Sequence, residues 1–333
     1  MSLTTDSVLL VGDIGGTNAR FALAEPEGHA YLQEKVLQCA EYNTPELAIR
    51  AYLDSIEAPM PSAICLAAAG PVREGSVDLT NNNWHIRETS LNQEFGISTS
   101  CLLNDFEAIA SSLPELLPEE MITFGLYEPR NLDTQAFNVA VIGPGTGLGA
   151  AGLIKRDDAV IPVITEAGHV GFAPENALQR AVWEILRHRF GRVSDERLVS
   201  GSGLENIYTS LSEIHDSPSH PLKAPEIFKN VNSNTLAAES VNLFFEILGQ
   251  VAGNFVLATG AFDGLYIAGG IVQRYPDLLA NSSFRASFEN KGRHRHLLEK
   301  VPTVLINHAH PGLLGACMKV KNLLGKDVKK NLN

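Results

Sequence analysis

The chain is short of positive charge. Its 26 Lys and Arg stand against 38 Asp and Glu, a formal net charge of -12, whereas nucleic acid and anionic lipid are held by a basic footprint. No nucleic-acid partner and no membrane partner are expected. Cysteine is scarce as well: Cys39, Cys65, Cys101 and Cys317 are scattered without a CxxC pair, so reduced thiols in a cytosolic protein are expected. No apolar run approaches the ~18 residues of a membrane span, and no basic-then-apolar leader opens the chain. Together these absences lead to the expectation of a soluble cytoplasmic enzyme. Charged residues make up only 19% against 44% apolar, which excludes a disordered chain. At 333 residues, about two lobes are expected. Glycine is plentiful: 28 of them announce many tight turns.

One such turn follows Val8 to Val11, a short apolar run that suits a strand covered on both faces, with Gly12 and Asp13 marking its carboxyl end. Gly15-Gly16 can take positive φ, so that successive N–H groups converge into an anion-binding nest, and Thr17 adds a hydroxyl at its rim. Asp13 places a carboxylate where a divalent cation, through water, would bridge to a polyphosphate. Taken alone, DxGGT is equally a plain hairpin turn with a solvated Asp13. The pattern is neither GxxxxGK[ST] nor a GxGxxG opening a helix. Some 130 residues on, Val139 to Ile142 form another short apolar strand, followed by Gly143, Gly145, Thr146, Gly147 and Gly149. Two such turns look like a duplicated phosphate clamp, one from each half of the chain.

Arg20 to Ala24 suits the return strand of a hairpin, Pro26-Glu27-Gly28 a turn, and Val36 to Ala40 a third strand. The period changes over Thr44 to Ile56, a helix capped by Thr44 with Pro45 in its first turn. Ala63 to Ala69 is a buried strand ending at Gly70-Pro71, and Ser100 to Leu103 is another. Helical spacing from Phe106 to Leu113 is broken by Pro114 and Pro118, where the first lobe boundary is placed. Thr123 to Thr134 reads as a loop-rich connection. Helices are expected over Ala177 to Arg189, Ser240 to Thr259 and the lysine-bearing Met318 to Lys330, with a short strand at Leu265 to Ala268 ending in Gly269-Gly270. Lys291 to His296, KGRHRH, reads as a solvated helix end without a spaced carboxylate or cysteine partner for zinc.

The blocks GDIGGTNAR, LLNDFEAIA, IGPGTGLG, EAGHVGFAP, LVSGSGL, LYIAGGIV and HPGLLGA, in order along nearly the whole chain, resemble the bacterial glucokinases of the hexokinase, actin and heat-shock-chaperone ATPase superfamily. The resemblance implies an α/β fold of two lobes with duplicated ribonuclease H-like topology and an interlobe cleft. The small domain would comprise 1–115 plus 308–333 and the large domain 116–307. It also implies a homodimer, and phosphorylation of D-glucose at its 6-hydroxyl with ATP and Mg2+ as cofactors. Gly12, Asp13, Ile14, Gly15, Gly16, Thr17, Gly145, Thr146 and Gly147 would lie at the nucleotide's phosphates, with Gly269-Gly270 under its adenosine and Asp13 reaching Mg2+ through water.

A sugar kinase needs a base within hydrogen-bond reach of the attacking hydroxyl. Asp105, after a strand and before a helix, matches the family's catalytic aspartate; on spacing alone a helix cap is the stronger reading. Asn104 beside it would orient the sugar. The resemblance makes Glu166, His169 and Glu196 sugar-hydroxyl ligands. Glu166 and His169, three apart, can face one pocket. The same ExxH spacing is half of a di-iron site, but no second set is present. Related ROK kinases carry a cysteine-rich zinc loop where this chain has Phe172-Ala173-Pro174, so no zinc site is expected. Gly171 stands where relatives often carry an acidic residue, at the pocket's edge. Thr80 to Trp84, near the sugar cleft in the family, reads equally as a plain Asn-rich loop.

Three rivals remain open to different degrees. A kinase of another hexose or an amino sugar differs only by one hydroxyl's orientation. A non-enzymatic ATP- or sugar-binding sensor of the ROK repressor kind would need a DNA-reading module, and only seven residues precede Val8. A chaperone or filament ATPase would keep both glycine turns without the sugar-binding set.

Overall fold

A computed structural model describes residues 8–25, 31–79, 82–133, 135–157, 159–217 and 220–330, with side chains as far as 324. The turn expected at Pro26 to Gly28, part of the Thr80 to Trp84 loop, and the lysine side chains near the end lie outside the described residues. By their internal contacts, residues 1–117 with 308–333 form one compact unit and residues 118–307 a second.

The first unit is built on a five-stranded sheet. Its strands are β1 (Leu9–Ile14), β2 (Asn18–Ala24), β3 (Tyr31–Gln38), β4 (Ala63–Ala68) and β7 (Ser100–Asn104), in the order β3-β2-β1-β4-β7. A separate hairpin pairs β5 (Ser76–Asp78) with β6 (His85–Arg87). β2 runs antiparallel to its neighbours β1 and β3, while β4 and β7 are parallel to β1. Side chains alternate across this sheet with period two. Leu10, Ile14, Ile64, Leu66 and Leu102 pack with α1 (Pro45–Ser55) and α2 (Glu88–Phe95) on one face. Leu9, Val11, Cys65, Ala67 and Leu103 pack on the other face, with α3 (Asp105–Ser112) and the terminal helix α12 (Pro311–Lys330). Gly315 lets these two helices touch, because a Cβ there would collide with the Ala108 backbone carbonyl.

The second unit repeats the order. Its strands are β8 (Met121–Phe124), β9 (Phe137–Pro144), β10 (Leu148–Arg156), β11 (Ala159–Ile164), β12 (Gly264–Ile267) and β13 (Thr303–Ile306), arranged β11-β10-β9-β12-β13-β8. Leaving aside the antiparallel edge strand β8, each unit is two antiparallel steps followed by two parallel ones, the ribonuclease H-like order implied by the resemblance. Its core gathers α4 (Ala177–Phe190), α5 (Gly201–Ile214), α6 (Ala224–Lys229) and α7 (Thr235–Thr259), followed by α8 (Gly270–Arg274), α9 (Pro276–Ala280), α10 (Phe284–Glu289) and α11 (Arg295–Leu298). Gly249 on α7 admits the backbone of α10 at Phe284.

Several expectations need correction. The segment from Thr123, read as loop, begins inside β8, whose four residues are only half-buried and pair with β13. The third strand starts at Tyr31 and ends at Gln38, and Cys39–Glu41 is a 3-10 turn. α7 starts at Thr235, capped by Asn234. It is long and apolar enough to cross a membrane (mean hydropathy 1.4), contrary to the sequence reading, yet 72% of its most apolar stretch is buried in the protein. In KGRHRH, the Lys291 side chain is not solvated: it is 5% exposed and 3.4 Å from Glu175. Burial lowers the pKa of its ammonium, and Glu175 opposes that shift.

Candidate active site

The first glycine turn is a hairpin loop of three residues, Gly15-Gly16-Thr17, closed by Gly15 N–H donating to the Asn18 carbonyl at 2.9 Å. The second is built alike: Gly145-Thr146-Gly147 joins β9 to β10, and Gly145 N–H donates to the Gly147 carbonyl at 2.8 Å. Neither turn uses the positive φ expected of it. The left-handed glycines among those described include Gly70 and Gly269 but none of Gly15, Gly16, Gly145 and Gly147. Close approach explains some of the glycines instead. A Cβ on Gly12 would stand 2.7 Å from the Leu66 side chain, and one on Gly147 would collide with the Glu196 carboxylate.

Both units present the same edge. In the first, Ile14, Ala68 and Asn104 are register partners at the carboxyl ends of three parallel strands, so the glycine turn and Asn104-Asp105 lie about 10 Å apart along that edge. The crevice outside the carboxyl ends of parallel strands is where open α/β sheets bind ligands. Ala69 N–H donates to the Ile14 carbonyl at 3.1 Å, and left-handed Gly70 follows. In the second unit, Ala268 N–H donates to the Ile142 carbonyl at 2.8 Å, and left-handed Gly269 follows, its Cα pressed against the Pro144 carbonyl. Gly270 opens α8 with free space beside it.

The strand-to-helix junction at Asn104-Asp105 assigns two neighbouring side chains different tasks. Asn104, 8% exposed, caps α3: its Oδ1 accepts from Phe106 N–H at 2.9 Å and Glu107 N–H at 3.3 Å. Its Nδ2 donates to the Gly70 carbonyl at 3.0 Å, so the second Nδ2 hydrogen is what it has left for a ligand. The capping position that spacing alone left open to Asp105 therefore belongs to Asn104, which reaches two N–H groups, while Asp105 Oδ1 shares one of them, Phe106 N–H. Asp105 is the first helical residue, half-buried, with Oδ1 2.9 Å from Phe106 N.

Asp13 pairs with Arg20 across β1 and β2 and lies beside Gly312 at the start of α12, where a Cβ would be 3.4 Å from its Oδ2. Burial raises its pKa and the Arg20 guanidinium partly opposes this. A cation would ease that burial. Among the described residues no three His, Cys, Asp or Glu side chains converge on a metal-sized space. A lone carboxylate fits an ion that takes its other ligands from phosphate and water, as Mg2+ does. Beside this turn is a cavity of about 600 Å³ lined by Gly16, Thr17, Cys39, Tyr42, Asn82 and Trp84. Cys39 and Tyr42 are not legible in this role from spacing, because a 3-10 turn after β3 delivers them.

In the second unit, Glu166 precedes the 3-10 turn Ala167–His169 without a capping bond from its side chain, and both Glu166 and His169 are exposed. Glu196, 27 residues downstream of His169, comes back to it because Asp195 N–H donates to the Val170 carbonyl and Gly171 pairs with Ser194. His169 Nδ1 stands 4.0 Å from Glu196 Oε1, while Glu196 Oε2 accepts from Leu148 N–H at 2.9 Å. Gly168 packs against the Leu148 carbonyl so closely that a Cβ would collide with it. One carboxylate thus joins the His169 segment to the end of the glycine turn. The turn also meets α5, whose first residue, Gly201, donates its N–H to the Gly145 carbonyl at 2.9 Å, with Ser200 as cap. A helix N-terminus favours an anion. These ties join segments far apart in sequence, and spacing alone does not reveal them.

Asp195 anchors the turn that carries Glu196. It is 9% exposed, and burial pushes its carboxyl up to about 7, with Arg192 opposing. Its folded pKa lies above the unfolded value, so the folded state holds the extra proton between about pH 4 and pH 7. Stability from this group is lost as pH rises through that window. Asp195→Asn should gain on the parent by about 2 °C or more in Tm between pH 5 and pH 8. A gap that stays constant in thermal melts at the two pH values contradicts this.

Known proteins were compared with this chain. The Glucokinase family model matches residues 10–323. The glucokinase of Caulobacter sp. (strain K31) is 39% identical over 312 residues, 93% of this chain and 94% of that one. The crystal structure of a glucokinase from an Antarctic psychrotroph matches with a TM-score of 0.86 at 31% identity, covering 95% of this chain and 99% of that one. A ROK family glucokinase from Streptomyces griseus, solved in complex with glucose and AMPPNP, shares the fold, with a TM-score of 0.60 at 18% identity over 93% of this chain and 98% of its own. On the match over nearly its whole length, this chain belongs to the glucokinase family.

Proposed function

We propose that the chain transfers the terminal phosphoryl group of ATP to the 6-hydroxyl of D-glucose, with Asp105 as the base that takes the hydroxyl proton. The observation that carries this is the division of labour at the β7–α3 junction. Asn104 takes the main share of the helix N-terminus, accepting from Phe106 N–H and Glu107 N–H, and the Asp105 carboxylate, whose Oδ1 also accepts from Phe106 N–H, stands at the carboxyl edge of three parallel strands, in place for proton transfer. Asn104 offers its remaining amide hydrogen to the sugar.

Glu166, His169 and Glu196 bind sugar hydroxyls: a carboxylate accepts from two and an imidazole donates to one. The turns Gly12 to Thr17 and Gly145 to Gly147 hold the phosphates, Gly201 N-terminal to α5 adds its helix end, and Gly269-Gly270 lie under the adenosine. The left-handed φ of 99° at Gly269 supports this, since a side chain is excluded there. Asp13 would hold Mg2+ through water, and the ion, when bound, neutralises charge on the phosphates. Glucose and AMPPNP in the Streptomyces griseus protein of the same fold favour this substrate pair.

Asp105→Asn should lower kcat by about 10²–10⁴-fold while glucose still binds, since an amide keeps the shape but takes no proton. A coupled assay showing a near-parental rate refutes the assignment.

Glu196 and Glu166 separate in their expected effects. Glu166→Ala should raise the KM for glucose by about tenfold or more and leave that for ATP near its parental value. Glu196→Ala should raise both, because Leu148 N–H at the end of the phosphate turn loses its acceptor. Steady-state kinetics with each substrate varied in turn checks this, and an unchanged ATP constant in Glu196→Ala counts against the coupling.

A further inference from the structure

Cys65 and Cys101 are direct register partners on the neighbouring parallel strands β4 and β7. Register partners stand about 4.8 Å apart at Cα, within the 4.4–6.8 Å that a disulfide tolerates. Both side chains are on the sheet face covered by α3 and α12, and Cys317 of α12 packs in the same cluster. Cys101 Sγ donates weakly to the Leu102 carbonyl at 3.8 Å, and the register sets the Cys65 thiol beside it. Cys65 is fully buried, whereas Cys101 is partly exposed and can be reached from solvent.

We propose that Cys65 and Cys101 form a reversible disulfide under hydroperoxide, and that the bond slows phosphoryl transfer. The thiols divide into an attacking and a resolving partner. The neighbouring Cys65 thiol, and then the Lys319 ammonium, lower the pKa of Cys101, with burial, Glu88 and Glu107 opposing; the neighbouring Cys101 thiol and burial raise that of Cys65. A thiolate is the nucleophile, and the accessible one reacts first.

The Cys101 thiolate attacks one peroxide oxygen, the O–O bond breaks, and hydroxide leaves, giving a sulfenic acid at Cys101. The Cys65 sulfur then attacks that sulfur, and the sulfenic oxygen leaves as water with the Cys65 proton. In sum, two thiols lose two electrons and two protons to one hydrogen peroxide, giving a disulfide and two waters. A thiol reductant reverses it.

The effect on rate follows from where Cys101 sits. A disulfide brings Cβ atoms to about 3.8 Å, closer than the strand spacing of about 4.8 Å. The preferred Cα separation across a disulfide, about 5.5–6 Å, exceeds that strand spacing, so the bond strains the β4–β7 pairing apart, and Asn104 and Asp105 follow Cys101 by three and four residues on the same chain segment. A misplacement of about 1 Å at a reacting group costs about 10²-fold. This consequence for rate rests on the role proposed for Asp105; the cross-link itself does not.

The test treats the reduced full-length protein with graded hydrogen peroxide, alkylates the remaining thiols and maps the peptides by mass. The expected result is a Cys65–Cys101 cross-linked peptide, a fall in glucose phosphorylation of about tenfold or more in step with it, and recovery of both in dithiothreitol. Cys101→Ser should keep its rate under the same peroxide. Cys65→Ser should stop at a Cys101 sulfenic acid that dimedone labels. Both thiols staying reduced, a bridge to Cys317 instead, complete bridging with an unchanged rate, or equal inactivation of Cys101→Ser would each overturn the proposal. If the reduced protein phosphorylates no glucose at all, the functional reading fails while the peptide map still decides the thiol pair.

Discussion

The N-terminus of a helix leaves backbone N–H groups that something must satisfy, and at the end of β7 Asn104 does so. Its Oδ1 accepts from two N–H groups of α3, and its Nδ2 ties the same side chain to the carbonyl of left-handed Gly70 at the end of β4. This one amide joins two strand ends and a helix start. Asp105, at the carboxyl edge of the sheet, shares only the Phe106 N–H with it, through one carboxylate oxygen. The proposed chemistry depends on that separation between a residue that builds and a residue that reacts.

The second unit solves a related problem with a carboxylate. Glu196 touches the phosphate turn through Leu148 N–H and approaches His169 with its other oxygen. A shift of the glycine turn therefore displaces a proposed sugar ligand. Close packing reinforces the link, since Gly147 and Gly168 both lie where a Cβ would collide with Glu196 or Leu148. Gly147 in this turn serves proximity rather than left-handed backbone. At Gly70 and Gly269, the fourth strand of each sheet does end in left-handed backbone.

Much of the fold is legible in short apolar runs bounded by glycine, as with Val139 to Ile142 within β9 or Ala63 to Ala68 of β4. Their signal is strong because both faces are covered. The half-buried edge strand β8 lacks such a signal and exists by pairing with β13, about 180 residues away. Lys291 reads as solvent-exposed for the same kind of reason: Glu175, which meets it, is 116 residues earlier. At the site, Asn104-Asp105 is visible as a strand-to-helix junction, but both residue types cap helices well, so sequence alone does not divide their roles. The return of Glu196 to His169 rests on backbone bonds between Val170 and Asp195, which no spacing encodes.

The account turns on Asn104, rather than Asp105, holding the start of α3. Urea unfolding of Asn104→Ala and Asp105→Asn beside the parent measures this directly. A lost buried cap and an orphaned Gly70 carbonyl should cost Asn104→Ala about 2 kcal/mol or more, while Asp105→Asn stays within about 1 kcal/mol of the parent. If the substitution at Asp105 proves as destabilising as that at Asn104, the carboxylate is structural and the division of roles at this junction is wrong.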